Sequence, residues 1–124
     1  MLVTGVDVIE IERIGKIVNR YKHRFLNRIY TPQELSYCNN RVNQLSTRFA
    51  AKEAVMKALG TGTKVNWKDI EVRNNNLGKP IIILHNKAKK ILNQISSKNT
   101  RIEVSLSDEK NYAISNVIIF NDEK

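Results

Sequence analysis

Three features of this sequence predict an α+β fold. Leu2 to Ile9 reads as a short strand that hands over to helical spacing at Ile11, Ile14, Ile17, Val18 and Tyr21. Gln44 to Leu59 holds an uninterrupted, alanine-rich helical pattern. The second half sets short apolar runs between turn-rich stretches, with one amphipathic helix among them.

Each element has its own signal. In the first strand Gly5 allows close backbone approach. At about 100° per residue, Arg13, Lys16, Arg20 and Arg24 form a basic stripe beside the apolar one, provided the helix runs past Tyr21-Lys22-His23. Thr31-Pro32-Gln33-Glu34 is a helix start: Thr31 caps, Pro32 suits the first helical position, and Glu34 can reach back to complete a capping box. Asn40 to Asn43 is the expected loop before the helix from Gln44. Leu45, Phe49, Met56 and Leu59 lie on one face of that helix, and Ala50, Ala51, Ala54 and Ala58 keep the rest of it thin. Gly60-Thr61-Gly62 ends it with a residue that tolerates a left-handed cap.

Asp69 to Asn74 and Pro80 to His85 read as strands around the turn-rich Asn74 to Gly78. Ala88, Ile91, Leu92 and Ile95 mark the short amphipathic helix. Ile102, Val104 and Leu106 alternate with polar residues, and a turn at Asp108 to Asn111 leads into Tyr112 to Phe120. Val117-Ile118-Ile119-Phe120 is apolar on both faces, which predicts a strand covered twice. In so small a chain the second cover can be another subunit.

The length of 124 residues is that of one domain, with no repeat or linker inside it. No apolar run approaches the roughly 20 residues of a membrane-spanning helix. Asp7, Glu10 and Glu12 interrupt what would be the apolar stretch of a secretory signal. Cys38 stands alone, so no internal disulfide can form and a cytoplasmic setting is expected. Twenty-one Lys and Arg against 12 Asp and Glu give +9, so an anionic partner is expected. Nucleic acid, a phosphorylated cofactor and an acidic protein all fit that balance.

Three groups of residues can carry chemistry. Gly5-Val6-Asp7 places a carboxylate where a strand meets a helix. It can face a cation, although taken alone a helix-capping aspartate is the plainer reading. Glu53 and Lys57 are four apart on one helix face. They are either a surface ion pair worth about 0.3 kcal/mol, or a carboxylate for a metal and an ammonium for a phosphate. Gly78-Lys79-Pro80, read alone, is a plain connection. His23 and His85 have no zinc-type spacing, and Cys38 has no base beside it in sequence. Gly-x-Ser-x-Gly, phosphate-loop and dinucleotide fingerprints are missing.

Together these segments resemble the small bacterial holo-acyl-carrier-protein synthases, a group within the phosphopantetheinyl transferases. The first motif runs from Gly5 to Ile14 as GVDVIEIERI, and the more specific second runs from Arg48 to Gly62 as RFAAKEAVMKALGTG. Leu77-Gly78-Lys79-Pro80 and Val104-Ser105-Leu106-Ser107-Asp108, followed by Tyr112-Ala113, support them in register. Ser46 and Thr47 depart from the pair of smaller residues common before Arg-Phe-Ala, and Asp108 stands where some members carry His; neither removes a metal ligand.

The resemblance implies transfer of 4′-phosphopantetheine from coenzyme A to a serine of apo acyl carrier protein, in support of fatty acid biosynthesis. Adenosine 3′,5′-bisphosphate leaves. It implies Asp7 and Glu53 as the Mg²⁺ ligands, with Glu53 the candidate base and Asp7 the runner-up. Magnesium typically takes one or two carboxylates and completes its shell with phosphate and water. Oxygen ligands do not separate it sharply from Mn²⁺. Lys57 and Arg48 are implied as coenzyme phosphate ligands, Arg48 across a subunit boundary. Arg13, Arg24 and Arg28 are implied as the dock for an acidic carrier. The implied fold packs a small antiparallel sheet against helices in a single domain, residues 1–124, assembled as a trimer with shared active sites. The rivals are a small basic nucleic-acid-binding protein, which the aromatic content of 6% and missing binding motifs oppose, and a carrier-binding module without catalysis, which Asp7, Glu53 and Lys57 oppose.

Overall fold

The computed structural model describes residues 1–96 and 99–121. In chain order it runs β1 (Leu2–Glu10), α1 (Ile11–Tyr21), α2 (His23–Ile29), α3 (Pro32–Cys38), α4 (Val42–Leu59), β2 (Ile70–Asn74), β3 (Pro80–Leu84), α5 (Asn86–Ile95), β4 (Thr100–Asp108) and β5 (Tyr112–Asn121). Two short 3₁₀ turns, Gly62–Lys64 and Trp67–Asp69, join α4 to β2. A three-stranded antiparallel sheet has the order β1-β5-β4, and β2-β3 is a separate antiparallel hairpin. This is the α+β architecture, with small antiparallel sheets against helices, that the sequence predicts.

Helix α4 lies across β1 and β5. On β1 every second residue faces it: Gly5, Asp7 and Ile9 point inward and are buried, while Leu2, Thr4, Val6, Val8 and Glu10 point outward. The approach is set by Gly5. A Cβ there would lie 1.9 Å from the Ala54 carbonyl oxygen and 3.0 Å from the Ala58 nitrogen. Glycine against alanines is what lets strand backbone touch helix backbone. Below this contact Val55, Ile70, Val117 and Ile119 form one core cluster; Ile14, Tyr30, Cys38 and Leu45 form another under α1–α3.

The helical ends follow their predicted chemistry with two corrections. The Thr31 hydroxyl accepts the Glu34 N–H at 3.2 Å and Glu34 returns to the Thr31 N–H at 2.8 Å, which is the expected capping box. Gly60 adopts φ 73°; its N–H and that of Thr61 bond the Lys57 and Met56 carbonyls, a Schellman ending. Helix α4 starts at Val42, inside the segment expected to be loop. The first helix stops at Tyr21, because Lys22 turns to φ 47°. The basic stripe therefore does not continue along one helix: Arg24 and Arg28 belong to α2, and Tyr21, expected on the apolar face, is exposed.

One buried polar web ties α3, α4 and β2 together. The Lys52 ammonium, fully buried, donates to Glu34 Oε1 at 2.8 Å, to the Trp67 carbonyl at 3.1 Å and to the Ile70 carbonyl at 2.6 Å. All three of its donors are used. Glu34 Oε2 accepts the Val72 N–H at 2.7 Å, and the Thr31 hydroxyl donates to Glu71. Burial lowers the Lys52 pKa against the pull of Glu34. Cys38 is a buried thiol whose pKa burial raises to about 11, so it behaves as core.

Candidate active site

Residues forty-six positions apart in the sequence meet where β1 passes under α4. Asp7 is 8% exposed, and its Oδ1 accepts the Lys57 ammonium at 3.0 Å. The same ammonium donates to the Val6 carbonyl at 3.0 Å. Glu53 lies one helical turn before Lys57 and within the field of Asp7. Burial first, then the Asp7 charge, raise the Glu53 pKa, while Lys57 and Arg13 pull it down. Two carboxyl groups thus converge with one of them reluctant to ionise, which is the electrostatic demand that a divalent cation meets.

Beside them opens a cavity of about 480 Å³ lined by Glu53, Met56, Lys57, Gly60, Gly62 and Trp67. Its charged edge is Glu53 and Lys57; Met56 and Trp67 form an apolar wall. The Trp67 ring stacks on Phe49, with centroids 4.8 Å apart, and its carbonyl is held by Lys52. The arrangement offers cation-binding oxygens, a phosphate-binding ammonium and a groove for an extended chain.

Each predicted site residue can now be placed. Asp7, Glu53 and Lys57 come together. Arg13 is exposed on α1 and close enough to lower the Glu53 pKa. Arg24 and Arg28, with Ile17, Tyr21 and Phe25, line a second cavity of about 440 Å³ between α1 and α2. Arg48 is not brought to the cluster. Five residues before Glu53 it points roughly 140° away around α4, 3% exposed. There its guanidinium donates to Gln44, to Thr47 at 3.0 Å and to Asn74 at 3.0 Å, and lies 4.5 Å above the Tyr37 ring. Ser46 and Thr47 are buried and bond back to helix carbonyls. Asp108 accepts from the Asn43 side chain at 2.9 Å.

The model for the 4′-phosphopantetheinyl transferase superfamily matches residues 4–117. The chain belongs to that superfamily. This transferase is 40% identical over 124 residues to the holo-[acyl-carrier-protein] synthase of Koribacter versatilis, with 96% of this chain and 98% of that one covered. Two crystal structures of holo-[acyl-carrier-protein] synthases share its fold. The one from Neisseria meningitidis is 33% identical, with TM-score 0.83, covering 96% of this chain and 98% of that one. The one from Helicobacter pylori, in complex with coenzyme A, is 30% identical, with TM-score 0.83, covering 94% and 99%.

Trp67, which lines this transferase's cleft, and Lys52, buried and bonded to the Trp67 carbonyl, were not singled out from the sequence. Trp67 gave a signal, as the single tryptophan of the chain just beyond the Gly60–Gly62 stop. Lys52 lay within the second motif without a role, because helical spacing places it away from Glu53 and Lys57. No group of three or more His, Cys, Asp or Glu side chains able to hold a metal exists among the described residues. A pair of carboxylates is what magnesium bound through substrate phosphates asks for, and the residues present fit that ion.

Proposed function

We propose that this chain transfers 4′-phosphopantetheine from coenzyme A to a serine of apo acyl carrier protein, releasing adenosine 3′,5′-bisphosphate, in support of fatty acid biosynthesis. The observation that carries the reading is the convergence of Asp7, Glu53 and Lys57 at the mouth of the 480 Å³ cavity. Asp7 and Glu53 would hold Mg²⁺, with Mn²⁺ a workable substitute, and the ion would neutralise charge on the coenzyme pyrophosphate as a Lewis acid.

The chain's own groups do the rest. Lys57, half-exposed at the rim, leaves Asp7 for a pyrophosphate oxygen of the coenzyme. The cavity takes the pantetheine arm along Met56 and Trp67. The carrier serine hydroxyl attacks the phosphorus bearing the arm, in line with the oxygen that joins it to the second phosphorus. The new P–O bond forms to the serine, the old one breaks, and the electron pair leaves on adenosine 3′,5′-bisphosphate. The serine proton passes to Glu53, the carboxylate at the edge of the cavity. Asp7, clasped beneath α4, keeps its place. Positioning and charge neutralisation supply most of the acceleration.

The outer face of the large sheet supports an assembly. Leu2, Val6, Val8 and Ile114 are exposed there, next to half-buried Ile118 and Phe120 on the strand predicted to be covered twice. Arg48, buried against Gln44, Thr47 and Asn74, lies away from that face and would reach a coenzyme phosphate only by leaving these partners. Arg24 and Arg28, in a hollow shared with Ile17, Tyr21 and Phe25, and Arg13 nearer Glu53 would dock an acidic carrier. Among the described residues no helix is long and apolar enough to cross a membrane. With the lone buried thiol, this supports a place in the cytoplasm.

The test is incubation with coenzyme A, Mg²⁺ and an apo carrier, read by mass spectrometry. A phosphopantetheine mass gain that disappears on chelation, and in Asp7→Asn and Glu53→Gln, is the expected result. Folded protein that binds duplex or single-stranded nucleic acid in a salt-sensitive way, and leaves the carrier unmodified, would overturn the reading.

A further inference from the structure

The inner face of β5 presents Ala113, Ser115, Val117 and Ile119 to the interior, and all four are fully buried. Three are apolar. The fourth is a hydroxyl, and the Ser115 oxygen is the one buried side-chain polar atom without a hydrogen-bond partner among the described residues. A buried orphan hydroxyl costs the fold its lost hydration, and an alanine at that place would pack without that cost. Nothing in the packing calls for the oxygen.

The register does. Ser115 is the direct cross-strand partner of Asp7. Both side chains lie on the inner face of the sheet, and residues so paired hold their Cβ atoms about 4.5–5.5 Å apart. On β1 the inner row is Gly5, Asp7 and Ile9. Each row has one polar side chain, and the two stand opposite each other beneath the α4 turn that carries Glu53 and Lys57. The Lys57 ammonium occupies Asp7 Oδ1.

We propose that Ser115 is a positioning residue for Asp7: when Lys57 turns to a coenzyme phosphate, the Ser115 hydroxyl donates to the Asp7 carboxylate and holds it in the orientation that binds the divalent ion. A rotation about χ1 between staggered wells is enough to re-aim a serine hydroxyl. The donated proton stays on Ser115, and no bond is made or broken. The inference rests on the reading of Asp7 and Glu53 as the ligands of the ion. Partners that orient a ligating carboxylate in this way typically contribute 10–100-fold to metal affinity.

The experiment uses the full chain, with Mn²⁺ as the probe, followed by electron paramagnetic resonance with and without adenosine 3′,5′-bisphosphate. Ser115→Ala and Ser115→Cys, the second retaining volume with only a weak donor, are each expected to bind Mn²⁺ about 10-fold more weakly. Without metal, Ser115→Ala is expected to melt at or above the wild-type temperature, because it loses an unpaired buried hydroxyl. Mn²⁺ affinity unchanged in both Ser115 variants, with the wild type binding more tightly than Asp7→Asn, would overturn the inference and leave the metal site standing. Wild type binding no better than Asp7→Asn would overturn the metal site itself, and the inference with it.

Discussion

Gly5 and Glu53 show how single residues set this site. A Cβ at Gly5 would overlap the Ala54 carbonyl, which is backbone and cannot swing aside. Gly5→Ala must therefore push β1 off α4, and Asp7 travels with it. The expected outcome is a stability loss of about 2–3 kcal/mol by denaturant titration, with transfer activity falling further than the unfolded fraction explains. Glu53 makes a different case. Burial and Asp7 raise its pKa above 4.5 in the native state. A group so raised adds stability below its unfolded pKa, and that stability is lost as pH rises through the native value. At neutral pH the Glu53 charge is held at a cost. Glu53→Gln is thus expected to melt no lower than the wild type in metal-free buffer, while transfer drops about 10²–10⁴-fold. In metal-free protein the Glu53 carboxyl should give up its proton above the ordinary carboxylate range, because burial and the Asp7 charge hold it back. A side-chain carboxyl NMR titration in metal-free buffer checks this, and a Glu53→Gln enzyme with full activity would remove Glu53 as the base.

Among the elements, α4 carries two jobs on two faces. One face brings Glu53 and Lys57 to β1; another sinks Lys52 into the web with Glu34, Trp67 and Ile70. Removing Lys52 leaves the Glu34 carboxylate buried without its cation, which typically costs 3–5 kcal/mol. Lys52→Ala is expected to lose about that much in urea titration and to weaken coenzyme binding, since the Trp67 wall loses its tether. Lys52→Met combined with Glu34→Gln is expected to lose less than the sum of the two single changes, because neither leaves a lone charge. The web also marks what the sequence shows and what it hides. Periodicity, capping and glycine stops reveal nearly every element, because those signals are local. The break at Lys22 was visible only as a weak point, since no glycine or proline announces a positive φ there. Asp7, Glu53 and Lys57 could be singled out by residue type and spacing. Their meeting could not, because it depends on Gly5 packing on Ala54 across forty-nine positions of chain. Lys52 and Ser115 were invisible as polar interior groups: burial comes from tertiary packing, and composition does not report it.

At the scale of the molecule, the outer sheet face and the α1–α2 hollow offer different surfaces. The outer sheet face exposes Leu2, Val6, Val8 and Ile114 among polar residues such as Glu10 and Asn116, and Val8 and Ile114 are cross-strand partners on it. Val8→Asp with Ile114→Asp sets two like charges side by side where a subunit would close. If subunits close on this face, sedimentation velocity is expected to show a smaller species for the double variant than for the wild type. The basic face is expected to behave otherwise. Arg24 and Arg28 are exposed around the α1–α2 hollow, away from the Asp7 cluster. Charges at the rim of an interface act mainly on the association rate and are screened within about 8–10 Å at ordinary salt. Arg24→Glu and Arg28→Glu are therefore each expected to lower kcat/KM for the carrier about 10-fold at low salt, with KM for coenzyme A unchanged, and the deficit should shrink as salt rises. Arg13 separates the two effects. Proposed for the dock, it also lowers the Glu53 pKa, so Arg13→Glu should raise the Glu53 titration in metal-free protein as well as the carrier KM. If that titration stays fixed in Arg13→Glu while the carrier KM rises, Arg13 serves the dock alone.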